Sequence, residues 1–64
     1  MCFYIHYVCK DSYGNVVDQF DDYTNLVGTK KEAQKLRDGY LDVFNCDCKK
    51  GIWSARIRTL YGGC

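Results

Sequence analysis

The sequence predicts an α+β fold of two layers, a ββαβ chain whose three-stranded antiparallel sheet packs on one helix. Two stretches, 2–10 and 52–61, alternate with period two, as half-buried strands do. A third, 30–44, repeats apolar side chains at three- and four-residue steps, the signature of an amphipathic helix.

The first strand, about 2–10, sets Phe3, Ile5, Tyr7 and Cys9 on one face and Cys2, Tyr4, His6, Val8 and Lys10 on the other. Its aromatic and β-branched content suits a pleated sheet. Asp11-Ser12-Tyr13-Gly14-Asn15 supplies turn chemistry: an Asp can close an Asx-turn, and Gly or Asn tolerates positive φ. A second strand follows over about 16–20, making a β-hairpin, and Asp21 to Asn25 reads as the exit from it. Thr29-Lys30-Lys31-Glu32 has capping-box spacing and starts a helix over about 30–44. Ala33, Leu36, Tyr40, Val43 and Phe44 form its apolar stripe, with Lys31, Lys35, Asp38 and Asp42 opposite. Gly39 costs about 1 kcal/mol in a helix interior relative to Ala, which suggests close approach of another backbone there. Asn45 to Gly51 reads as a polar connection, and the third strand runs over about 52–61.

The first strand is the most apolar and belongs at the centre, so the third strand is expected beside it and antiparallel. The expected core is Phe3, Ile5, Tyr7, Ala33, Leu36, Tyr40, Phe44, Trp53, Ala55 and Ile57. All of residues 1–64 form one domain, too short to bury more than roughly 60% of its unfolded surface.

Composition narrows function by exclusion. Apolar residues make up 47% of the chain and the net charge is only +1, so disorder is excluded. No secretory signal or membrane-spanning run appears, which leads to the expectation of a soluble cytoplasmic protein whose five cysteines stay reduced. Cys46-Asp47-Cys48 has C-x-C spacing; with Cys2, His6 or Cys9 it could hold zinc, although the second C-x-x-C pair of a zinc ribbon is missing. Ordinary thiols and no cofactor are the expectation, with Cys46 and Cys48 the metal candidates. Cys64, after Gly62-Gly63, receives no role.

Charge divides along the chain: residues 1–26 carry net −3 and residues 27–64 net +4. Such asymmetry favours oriented association, including self-association as a homodimer, over general nucleic-acid binding. A single helix covers one face of the sheet. The other presents Tyr4, His6 and Val8 beside Arg56 and Arg58, with Asp18 or Gln19 from the second strand. Aromatic and Arg side chains dominate binding hot spots, so these five residues are the expected partner-binding site. Edge pairing by the outer strands is another route to a dimer. Stacked bases with phosphates on Arg56 and Arg58, helped by Lys49 and Lys50, is the alternative, as is a zinc-assisted regulatory protein. Catalysis is not expected. His6 is the sole histidine, and no phosphate-binding loop, nucleophile elbow or zinc-protease motif occurs.

A Tyr-rich hairpin with a D-x-x-G-N turn, a T-K-K-E-A-x-K-L helix start and a W-S-A-R-I-R final strand is similar to small proteins of bacteriophages and mobile elements. That resemblance, of layout over most of the chain, implies an accessory or host-takeover factor, including inhibitors of bacterial immunity of the anti-CRISPR kind. It carries no functional residues across.

Overall fold

A computed structural model describes residues 1–47 and 51–62. The order is β1 (Cys2–Lys10), β2 (Val16–Val27), α1 (Lys30–Asp47) and β3 (Ile52–Leu60). The strands form one sheet in the order β2-β1-β3, and both pairings are antiparallel. The ββαβ class and the central position of β1 are as the hydrophobic pattern indicates. No helix is long and apolar enough to cross a membrane among the described residues.

Strand β1 is central because its inner face has most to hide. Phe3, Ile5, Tyr7 and Cys9 are all buried, and Ala33 of α1 closes over them. Around Tyr7 gathers a set of rings: Phe20 stacks on it at 5.0 Å, Phe44 meets it edge-on at 5.2 Å, and Trp53 lies 5.4 Å from Phe44. Such pairs contribute roughly 0.5–1.5 kcal/mol each beyond area burial. Leu36, Phe44, Trp53, Ala55 and Ile57 are half-buried, and Tyr40 is 36% exposed. Phe20 joins this cluster although the pattern does not mark it as core; directly opposite Tyr7 in the register, it must share Tyr7's face.

The hairpin turn follows its chemistry. Asp11 Oδ1 accepts from the backbone N–H of both Tyr13 and Asn15 at 2.9 Å, and Gly14 takes φ of +84°. Beyond Phe20 the expectation fails: β2 does not end there but runs to Val27. Residues 21–25 look like an exit because Asp and Asn populate turns. Here they serve an irregularity inside the strand, where Ile5 faces Asp22 but Phe3 faces Val27. The Asp22 carboxylate fastens it, accepting from Thr24 N (3.2 Å), Thr24 Oγ1 (2.6 Å) and Asn25 Nδ2 (2.9 Å).

The helix starts as its cap indicates, with Glu32 N donating to Thr29 Oγ1 at 3.2 Å. It runs past residue 44 to Asp47, because Asn45 has a partner the periodicity does not show. Asn45 Oδ1 accepts from Trp53 N at 2.8 Å and its Nδ2 donates to Trp53 O at 3.3 Å. The side-chain amide thus occupies, at one residue, the place of a neighbouring strand on the outer edge of β3. The close backbone approach expected at Gly39 is absent: a Cβ there would meet nothing within 4 Å. It occurs at Gly51 instead, where a Cβ would collide with the Lys10 carbonyl. β3 ends at Leu60, one residue before the expected end.

The cysteine expectation also changes. Cys2 is disulfide-bonded, not a reduced thiol. Residue spacing carries no information about which sulfurs a fold brings together. Because disulfides persist in oxidising compartments, cysteine usage no longer supports a cytoplasmic setting.

Candidate binding face of the sheet

Side chains of one sign of the pleat point away from α1, and the antiparallel register aligns them in rows. One row runs Asp21, His6, Arg56; the next sets Tyr4 against Arg58; a third runs Gln19, Val8, Ser54. All five residues expected on this face are therefore brought together. Tyr4, His6 and Val8 are half-buried on the central strand, while Arg56 and Arg58 are exposed on β3. Of the two residues left open on β2, Gln19 is the one that lies here. Asp18 sits opposite Cys9 and so faces the helix side.

Position in the sheet explains the burial. A residue on the middle strand is flanked on both sides, so Tyr4, His6 and Val8 lose water without any layer above them. The edge residues keep it. Between them lies a shallow concavity of about 230 Å³, lined by His6, Val8, Lys10, Gln19, Arg56 and Arg58 among others. Three basic side chains, Lys10, Arg56 and Arg58, therefore border one hollow. Among the described residues neither Arg56 nor Arg58 has a carboxylate partner, since the ion pairs there are His6–Asp21 and Arg37–Asp38.

Beside the cations stands a polar chain that residue patterns do not reveal. His6 Nδ1 lies 2.6 Å from Asp21 Oδ1, and the Tyr23 hydroxyl donates to Asp21 Oδ2 at 3.4 Å. Tyr23 in turn packs on Tyr4 with ring centroids 4.9 Å apart. Partial desolvation, the Asp21 carboxylate and Tyr4 together raise the Tyr23 phenol above its ordinary range. Asp21 and Tyr23 become visible as site residues only once β2 is known to continue past Phe20. Residues 20–27 do not alternate in polarity, so the pairing with β1 and not a sequence period is what finds them.

Chemically, a carboxylate on Nδ1 fixes the imidazole plane and leaves Nε2 as the free ring nitrogen. Ser54 lies on the same face, but its hydroxyl is directed to the Val8 carbonyl at 3.5 Å, not to His6. The arrangement is an oriented imidazole beside guanidinium groups able to fork onto carboxylate or phosphate oxygens.

Among the described residues the metal candidates do not gather into a ligand set. Cys46 is exposed on α1, and Cys9 is buried on the face of β1 opposite His6. Cys48 lies outside the described residues, as do Lys49, Lys50 and Cys64. Among the described residues no group of three or more His, Cys, Asp or Glu side chains could hold an ion. No protein-family model, curated protein or solved structure matches the chain.

Proposed function

We propose that the protein is a non-catalytic binding module whose open sheet face recognises an acidic segment of a protein partner. The observation that carries this reading is the hollow bordered by Lys10, Arg56 and Arg58, whose two guanidinium groups have no carboxylate partner among the described residues. A binding face with unopposed arginines beside half-buried Tyr4 and Val8 combines the two elements of a hot spot, a charged fork and an apolar anchor. Protein carboxylates fit better than a nucleic-acid backbone. A phosphate strand tracking across the sheet would meet Asp21, and the Tyr4 and Tyr23 rings pack on each other where base stacking would need them splayed. Blocking a host protein complex, as the likeness to phage accessory proteins implies, is one use of such a face.

The test is a titration of ¹⁵N-labelled protein with a hexaglutamate peptide, a hexaserine peptide and a single-stranded oligonucleotide. Hexaglutamate is expected to shift His6, Val8, Lys10, Ser54, Arg56 and Arg58, with binding that weakens as salt rises. Arg56→Glu with Arg58→Glu should lower that affinity at least tenfold. Shifts that fall elsewhere, or tighter binding of the oligonucleotide at the same residues, would overturn the reading.

A further inference from the structure

The helix has an apolar flank that the sheet does not cover. A groove of about 460 Å³ lies between α1 and the end of β2, lined by Val27, Leu36, Gly39, Tyr40 and Val43, with Glu32 and Lys35 at its rim. Val43 is 59% exposed there and Tyr40 36%. α1 packs mainly toward β3, which leaves its β2 side open. Gly39 sits in the middle of this flank with only open space where a Cβ would be, so no close contact among the described residues offsets its helix-propensity cost.

The charges beside the groove say what covers it. Lys31, Lys35, Asp38 and Asp42 follow one another along one side of α1 at four-, three- and four-residue steps, so they form a single row, two cations then two anions. Within a lone helix this order favours only the middle of the row, where Lys35 and Asp38 stand at i, i+3 and Arg37 pairs with Asp38. Lys31 and Lys35 repel at i, i+4, as do Asp38 and Asp42, and the cations stand in the half nearer the positive end of the helix dipole. The last turn holds no basic residue to compensate. An antiparallel copy sets the cationic half of one helix beside the anionic half of the other. With a two-fold axis between residues 38 and 39, Lys35 of each helix, at the rim of the groove, stands opposite Asp42 of the other, and the dipoles oppose. Gly39 at the axis lets the two backbones approach closely.

We infer that a second copy of this chain docks antiparallel on α1, burying Leu36, Tyr40 and Val43 around Gly39. The interface is isologous, as two-fold dimers require, and is separate from the open sheet face. Binding of an acidic partner on one face and self-association on the other are independent, so either can hold without the other.

Sedimentation equilibrium on the full chain from 5 to 500 µM tests the inference, with far-UV circular dichroism to confirm that each variant is folded. The wild type is expected to dimerise, and Val43→Glu to weaken association at least tenfold. Lys35→Asp and Asp42→Lys should each weaken it, and the double variant carrying both should restore it, because an antiparallel pair exchanges those two positions across the axis. Arg56→Glu on the opposite face should leave it unchanged. A wild type that stays monomeric at 500 µM, a folded Val43→Glu that dimerises normally, or a double charge reversal that fails to rescue would each overturn the inference.

Discussion

Tyr7 shows how one side chain can be both the centre of a core and its weakest polar point. Its side chain is fully buried, and its hydroxyl has no hydrogen-bond partner among the described residues. Burial first, then the Asp22 carboxylate and Tyr40, push its phenol up to about 12. An orphaned buried hydroxyl costs about 1–3 kcal/mol, so Tyr7→Phe should raise stability by roughly 1 kcal/mol in urea unfolding. The sign of the pH effect follows from the raised value. The folded state holds this proton more tightly than the unfolded state, so its stabilisation is complete below pH 10.0 and is lost as pH rises toward 12. Tyr7→Phe should remove that share of the alkaline loss. Gly51 is the opposite case, a residue whose smallness is required. Gly51→Ala drives a methyl group into the Lys10 carbonyl, so at least 1–3 kcal/mol of destabilisation is expected, read as a fall in Tm.

At the scale of elements, β2 and the end of α1 carry the structure that patterning does not show. Asp22 clamps the strand irregularity. Burial alone would raise its pKa, but hydrogen bonds from the side chains and backbone of Thr24 and Asn25 outweigh burial and hold it below 3.8. A depressed carboxylate stabilises the fold above its unfolded pKa and loses that effect as pH falls through the folded value. Acid titration of Asp22→Asn should therefore show a flatter stability profile below pH 3.8 than the wild type. Asn45→Ala removes both bonds to Trp53, so a loss of about 1–2 kcal/mol and faster hydrogen exchange at the Trp53 amide are expected. These two elements also mark the limit of legibility. Alternation in β1 and β3 and the cap at Thr29 were readable because a period or a local bond defines them. The continuation of β2 was not, since Asp21, Asp22 and Asn25 have turn propensity that only pairing with β1 overrides. Nor was the length of α1, because Asn45 is held by a contact eight residues away that has no periodic signature. The binding face followed the same division: Tyr4, His6, Val8, Arg56 and Arg58 came from alternation, whereas Asp21 and Tyr23 needed the register.

For the whole molecule, the sheet order determines what each part can do alone. β1 supplies the inner face that everything else covers, and β3 both closes its second edge and delivers Arg56 and Arg58 to the open face. A chain ending at residue 47 should therefore lose more than one strand. It should give a poorly dispersed amide spectrum and aggregate on concentration, since the bared edge of β1 is a template for pairing. A soluble, well-dispersed spectrum from that fragment would show that the hairpin and helix suffice as a unit.

The central strand is also the first of the three to be made, while its second neighbour is the last. During synthesis at roughly 5–20 residues per second, the stretch from the end of β2 to the end of β3 takes about 2–7 s to emerge. For that interval Phe3, Ile5, Tyr7 and Cys9 have a hairpin partner on one side and none on the other. The nascent chain is thus most adhesive well before its Arg-bearing strand exists, and its yield should depend on translation speed through residues 28–60 more than on the stability of the finished fold.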